Sequence, residues 1–587
     1  MGIARMVKCN HCLVKSRTMP ESIEWSSEVS QIVRKFALQN AIEYHGEGQS
    51  GSVLGRVLSE REDLRSKAKS LISLVNSEVS RANLIAKEKG MEEVRFELES
   101  FAPEALDREK QQKTVGLKDL PGETDDVVLR FAPNPNGPLS LGHSRGVVIN
   151  SMYSERYDGK IVLRFDDTDT RVKPAIIEAY DWIEEEFEWL SGRSPDVVVR
   201  ASERMPLYID MAEKMISGGF GYVCLCSADE FREFRISKEE CPCRDREVSS
   251  NLEDWEKMNS GGINEGEAVV RVRTDMTLPN PALRDWPALR IQHAPHPIVG
   301  DKYKVWPLLD FQSAVEDHAQ GVTHIIRGID LMDSTRKQTL LYEHFGWNYP
   351  EPLYWGRVKI HEFGGFSTSG ILSSIKSEDF SGWDDPRLPT IKALRNRGFS
   401  PESIRLLWEE IGLTQKDISI SMATLESFNS KVIDSDCERR VFVIDPIEIE
   451  FSSDNRPDVA SIPRHPEGSI PGNRNWEFSE SIFIQSSDHN PGKVRLKDFA
   501  DVEISEFSAN IQSMDRTDDR QIIHWLPKNL SREAIITVPD GENLNRIRGF
   551  IEDFELEEGR VYQFERFGFA KIESIDDQLV SLLWLHN

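Results

Sequence analysis

At 587 residues the chain is long for one domain and predicts roughly three to five. Its 39% hydrophobic and 29% charged residues supply real cores but are too polar for a membrane protein, and no run approaches the ~20 apolar residues of a membrane helix. The N-terminal segment lacks the apolar centre of a secretory signal, so a cytoplasmic protein is expected. A net charge of -27 argues against general affinity for nucleic acid, although a local basic track would still meet an RNA partner. Seven cysteines, four of them in one cluster, exclude a disulfide framework and point to a reducing compartment and a metal site.

Residues 1–18 read as an extension, with Met19 an alternative start. From about 25 to 46, Val29, Ile32, Val33, Phe36 and Ala41 recur at helical spacing, and Gly46 follows as a stop. After the Gly/Ser stretch GEGQSGS, a second helical pattern runs through Leu64, Ala68, Leu71, Ile72, Val75, Val79 and Ala82. The character changes at Val127 to Phe131, a buried-strand run, followed by the turn-rich PNPNGP and a helix start at Leu141. Ile161 to Phe165 is a second apolar strand ending in Asp166, Asp167, Thr168 and Asp169. Strand, loop, helix and strand predict a doubly wound parallel sheet, which binds ligands at the carboxyl ends of its strands. Residues 201–300 are mixed in composition, 305–345 return to strand and helix, and 385–440 look helical. From about 440 onward short Val/Ile/Phe runs alternate with turns, as in β-barrels, and no internal repeat is evident.

The sharpest segment is RFAPNPNGPLSLGHSRG, Arg130 to Gly146. Its Gly/Pro loop brings backbone close to a ligand, Gly142 leaves room for a flat ring, and His143 sits where a helix N-terminus faces phosphate. Arg130 and Arg327 are candidate cations and Asp166 a candidate anion for a charged ligand, with Asn134 adding a hydrogen bond. Two close cysteine pairs, Cys224 with Cys226 and Cys241 with Cys243, can close a tetrahedral thiolate site, for which zinc is the expected metal. Cys9 and Cys12 form half a site at most.

These residues resemble the class I aminoacyl-tRNA synthetases, specifically the archaeal-type glutamyl branch. Ser140-Leu141-Gly142-His143 stands where the family carries HIGH, with a serine in place of the first histidine. Gly365-Phe366-Ser367-Thr368-Ser369-Gly370 stands where it carries the KMSKS loop, without either lysine, and Lys359 and Lys376 are the candidates to compensate. The string SGWDDPRLPTIKALRNRG, GYVCLCSADEFREFR and GVTHIIRGID, together with VRLKDFADVEI and YQFERFGFAKIE near the C-terminus, complete the resemblance.

The resemblance implies a multidomain α/β plus β protein: a doubly wound (Rossmann) catalytic domain at 116–200 and 301–345 and a helical N-terminal domain at 19–115. It further implies an acceptor-end insertion with a zinc site at 201–300, a helical stem-contact region at 346–440 and β-barrel anticodon-binding domains at 441–587. It implies a glutamate–tRNA ligase that takes ATP with Mg²⁺, glutamate and tRNA, acts as a monomer, and leaves glutamine tRNA open as a second acceptor. The implied catalytic residues are Ser140, His143, Ser367 and Ser369. Arg130, Ala132, Asn134, Asp166 and Arg327 would hold the amino acid, and Pro133, Gly142, His143 and Thr368 the ATP. Trp383, Asp384, Asp385 and Arg387 would meet tRNA, with Lys392, Arg395 and Arg397 on nearby phosphates. Leu309 replaces a tyrosine that bacterial relatives carry near the amino acid. A glutaminyl enzyme is the rival, disfavoured by Asp169 and Arg327; a catalytically dead tRNA-binding paralogue would need no amino-acid pocket.

Overall fold

The computed structural model describes residues 25–44, 46–102, 116–363, 367–451, 457–477 and 480–587. The extension at 1–18, the Cys9/Cys12 pair and Gly365-Phe366 lie outside them. The chain divides into two compact units, Met1–Thr114 and Val115–Asn587.

Among its described residues the first unit holds four α-helices, Ser27–Glu43, Ser50–Glu60, Ala68–Lys89 and Met91–Phe101. Val29, Val33, Ala37 and Ala41 on the first and Leu71, Val75, Val79 and Ala82 on the third fall on one face each and are buried in a common core. Arg34 ties these two helices through Glu78 at 2.8 Å. The Gly/Ser stretch is a turn only as far as Gln49 and then opens a helix at Ser50. Side-chain amides hold that turn: Asn40 accepts from Gln49 N at 2.6 Å and Asn83 from Gly48 N at 2.8 Å.

In the second unit Val128–Phe131, Lys160–Phe165 and Val197–Arg200 form a parallel sheet with Val128–Phe131 at one edge. His324–Gly328 and Glu351–Trp355 make a parallel pair. The pair continues the sheet past Val128, since Thr323 N donates to Val128 O and Val128 N to Thr323 Oγ1, both at 2.9 Å. Chain order therefore reverses between the Val128 and His324 strands, the switch point at which a doubly wound sheet opens a crevice. The last of these strands, Glu351–Trp355, lies past the expected 301–345; its proline and half-buried pattern suit a sheet edge, not the apolar run sought in the sequence.

Between the two halves of this sheet, a four-stranded antiparallel sheet runs Gly221–Cys224, Val269–Val272, Pro287–Ile291 and Val305–Pro307. Beyond residue 356, the helices Thr368–Lys376, Ile391–Arg397, Pro401–Ile411 and Met422–Ile433 are accompanied by a paired strand, Val358–Ile360 with Ile418–Ile420.

The C-terminal region contains two seven-stranded sheets. The edge strands of one, Arg439–Arg440 and Phe442–Ile444, are separated by Val441 alone; those of the other, Gln521–Ile523 and Trp525–Pro527, by His524 alone. Strands that share one chain segment cannot be far apart, so each sheet curls until its edges meet, as a barrel requires. The second barrel is inserted into the first, which resumes at Ser531. Among the described residues no helix is long and apolar enough to cross a membrane.

Candidate active site and metal centre

At the switch point lies a cavity of about 850 Å³. Its wall gathers Arg130, Ala132, Pro133, Asn134, Ser140, Gly142, His143, Asp166, Arg327, Ser367, Thr368, Ser369 and Trp383, which the sequence spreads over some 250 positions.

Its floor is a cluster of charged side chains. Arg164 Nε donates to Asp166 Oδ1 at 2.8 Å and its Nη1 to Asp317 Oδ1 at 2.6 Å; Arg130 reaches the same Asp317 oxygen at 3.4 Å. Burial alone would raise the Asp317 pKa, but the Arg164 and Arg130 charges outweigh it and hold the carboxyl below the usual range. Asp166 also accepts from Gln312 Nε2 at 2.7 Å. Arg327 differs: its Nη2 contacts only neutral oxygens, Thr335 Oγ1 and Tyr349 OH at 2.6 Å and Gln338 Oε1 at 3.0 Å. Among the described residues no carboxylate pairs with Arg327, and its Nε is buried without a partner. Three guanidiniums thus face two carboxylates, leaving the floor short of one negative charge.

The signature loop sits above. Ser140 caps the helix Leu141–Arg156, its Oγ accepting from His143 N at 3.2 Å. In return His143 Nδ1 accepts from Ser140 N at 3.3 Å, so the ring proton is on Nε2 and free to be donated. Crowding by protein and then the charge of Lys173 lower the His143 pKa, which keeps the ring neutral. A Cβ on Gly142 would meet only Ser140 Oγ, at 3.6 Å, so that face is open to a ligand. At Gly146 a Cβ would lie 2.8 Å from the Phe131 ring, so glycine is what lets the helix rest on the first strand. The Asn134 amide nitrogen is bound to Asp166 O at 3.0 Å and Lys173 O at 3.3 Å, while its buried Oδ1 has no partner. Opposite, Ser367 caps the helix Thr368–Lys376 by accepting from Gly370 N at 3.1 Å.

A family model described as the catalytic domain of class I tRNA synthetases (E and Q) matches residues 126–435, and one for their anti-codon binding domain matches 437–518. A glutamate–tRNA ligase of Methanosarcina mazei is 43% identical over 96% of this chain and 99% of its own length. Those of Archaeoglobus fulgidus and Pyrococcus furiosus are 43% and 41% identical over 94% and 95% of this chain. The chain belongs to the class I tRNA synthetases of the E and Q group. A solved glutamate tRNA ligase of Elizabethkingia meningosepticum overlaps with TM-score 0.37 at 19% identity, covering 53% of this chain and 70% of that one.

Several residues named from the sequence of this synthetase turn out to be positioned differently. Lys359 and Lys376 do not line the cavity, Lys376 because it ends the helix whose start does. Asp385, expected at tRNA, is 1% exposed and turned inward: it pairs with Arg387 at 2.7 Å and accepts from Ser381 N at 3.0 Å. Arg387 in turn donates to Glu542 O at 2.9 Å and Asp379 O at 2.8 Å, and buried Arg397 bonds Leu585 O. Both tie the turn to its surroundings. Trp383 packs toward Gly137 and the cavity, while Asp384 stays exposed. Lys392 and Arg395 lie over Trp182 and Trp189. Leu309 is on the cavity wall.

The four cysteines of the insertion converge, all four sulfurs within 4.8 Å of one another. Cys224 Sγ is 3.9 Å from Cys241 Sγ and Cys226 Sγ 3.7 Å from Cys243 Sγ. Tetrahedral zinc with ~2.3 Å bonds to sulfur separates its ligands by roughly 3.8 Å, so the set fits that ion. Leu225 N donates to Cys243 Sγ at 3.3 Å, an outer contact of the kind that steadies a bound thiolate. The helix Ala228–Ser237, capped at Ser227 and closed by Lys238 in the left-handed conformation, links the two pairs.

Proposed function

We propose that the chain is a glutamate–tRNA ligase that activates glutamate with ATP and Mg²⁺ and transfers it to the 3′ end of tRNA. The observation that carries this reading is Arg327, buried on the cavity wall beside Arg130 with neutral partners only. Glutamate's side-chain carboxylate would supply the missing negative charge, and its α-ammonium would meet Asp166. Glutamine's neutral amide would leave a buried guanidinium uncompensated, a penalty of about 3 kcal/mol or more.

Held there, the α-carboxylate would attack the α-phosphorus of ATP, forming the mixed anhydride while pyrophosphate leaves. The terminal adenosine 2′-hydroxyl of tRNA would then attack the glutamyl carbonyl and release AMP. Little acid–base chemistry is required; positioning and charge stabilisation carry the rate. His143 Nε2–H, the Ser140 hydroxyl and the N-terminus of the helix beginning at Leu141 would donate to phosphate, with the adenine over Gly142. Ser367, Thr368 and Ser369 would close on the far side, and Mg²⁺ would arrive on the ATP phosphates. Cys224, Cys226, Cys241 and Cys243 would hold zinc, which with four thiolates has no open position and would stabilise the insertion. Charging of glutamate tRNA with glutamate and with glutamine in parallel tests the reading.

A further inference from the structure

We propose that Lys173 is a catalytic residue of this chain, the cation that meets the departing pyrophosphate of ATP; the proposal rests on the reading above and deepens it. The cationic side chains of the cavity wall are Arg130, Arg164, Arg327 and Lys173. The three arginines belong to the floor, where Asp317 and Asp166 take up two of their charges. Lys173 is outside that charge cluster and near enough to His143 for its charge to lower the pKa of the ring. Among the described residues no carboxylate lies within 4.0 Å of its ammonium, and its side chain is exposed to the cavity.

Its backbone is fixed although its side chain is free. Asn134 Nδ2 holds both Lys173 O and Asp166 O, and Ile176 N donates to Pro135 O at 2.8 Å. The segment 166–176 is thereby bound to the signature loop, and Lys173 is carried at a set distance from the helix that Ser140 caps. The lowered His143 pKa agrees, since the Lys173 charge is one of its causes. Among the described residues, the stretch 367–369 brings to the cavity only the hydroxyls of Ser367, Thr368 and Ser369. Hydroxyls and helix N-termini orient a polyphosphate but bring no full positive charge; a lysine does, as a mobile point charge able to follow a leaving group. On the cavity wall, Lys173 is the side chain that remains for this.

The test compares wild type with Lys173→Ala, Lys173→Arg and the controls Lys376→Ala and Arg171→Ala, the last an exposed residue paired with Glu265 outside the cavity. Calorimetric titration with ATP·Mg²⁺ and separately with adenosine reads the phosphate contact; pyrophosphate exchange with glutamate and tRNA present reads catalysis. Lys173→Ala should weaken ATP about tenfold and slow exchange about tenfold or more, leaving adenosine binding and the KM for glutamate unchanged. Lys173→Arg should recover most of both, and the controls should match wild type. Unchanged ATP affinity and exchange in Lys173→Ala, or equal loss of ATP and adenosine, would overturn the proposal. If the wild-type chain fails to exchange pyrophosphate with glutamate, the functional reading fails, and the ATP-against-adenosine titration still decides the role of Lys173.

Discussion

Arg164 and Asp317 form a 2.6 Å ion pair beneath the cavity in which neither side chain is open to solvent. Asp317 also accepts from Arg130, so one carboxylate holds two guanidiniums together. Asp317→Asn would leave those two cations facing each other in a buried site. Removing one partner of such a group costs about 3–5 kcal/mol, read as a lower melting temperature of the catalytic domain. Because the Asp317 pKa is depressed, its contribution is present above the ordinary carboxylate pKa and lost as pH falls through the lower folded value. The gap between wild type and Asp317→Asn should therefore hold from about pH 5 to 8 and close on acidification. Equal melting temperatures at neutral pH would refute the clustering.

Glu186 predicts the opposite pH trend. It is buried under the signature loop, accepts from Leu139 N at 2.6 Å, and burial pushes its pKa up to about 8 against the pull of that N–H and of Lys392. A carboxyl kept protonated in the folded state binds one more proton than the unfolded chain between its two pKa values. Stability must then fall as pH rises through that window, from the ordinary 4.5 toward 8. Glu186→Gln keeps the acceptor for Leu139 and removes the ionisation. It should be more stable than wild type at pH 7 to 8 by on the order of 1–3 kcal/mol and equal to it near pH 4. Denaturant unfolding at both pH values checks this.

The four-cysteine cluster predicts one zinc per chain by elemental analysis. Cys226→Ser, or removal of metal with a strong chelator, should lower the melting temperature and uncover the insertion 201–300 to protease. The cavity residues should stay protected, since they lie on a separate core. Metal-free protein with an unchanged melting temperature would mean four reduced, packed thiols.

Arg327→Gln removes the unpaired charge at the amino-acid end. It should reduce kcat/KM for glutamate at least 30-fold, equivalent to about 2 kcal/mol, with the KM for ATP unchanged. Steady-state pyrophosphate exchange in the presence of tRNA measures both.

Much of this was legible because neighbouring motif residues fold together. A Gly/Pro loop ahead of a helix must present its backbone, so Arg130 to His143 line the crevice as their order suggests. Arg164 was overlooked because it sits inside the apolar strand Lys160–Phe165, where the apolar run draws attention away from a charge. A lone arginine in a fully buried strand is itself the signal, since it must find a carboxylate. Its partner Asp317 lies 153 residues away on a helix and carries no local mark. The inward turn of Asp385 was equally hidden: in a loop no periodicity tells which of two adjacent aspartates faces out. The barrels were legible as strand-rich chain, but their nesting depends on long-range pairing, such as Arg440 against Phe564 and Phe442 against Ile551.

Aminoacylation by the purified full chain, with transcribed archaeal glutamate tRNA and saturating ATP·Mg²⁺, tests the central claim most directly. With the pocket built on Arg130, Asp166 and Arg327, glutamate should be charged and glutamine should be at least ~100-fold poorer in kcat/KM, as an unpaired buried charge demands. Equal charging of glutamine, or no glutamyl-tRNA at all, would contradict it.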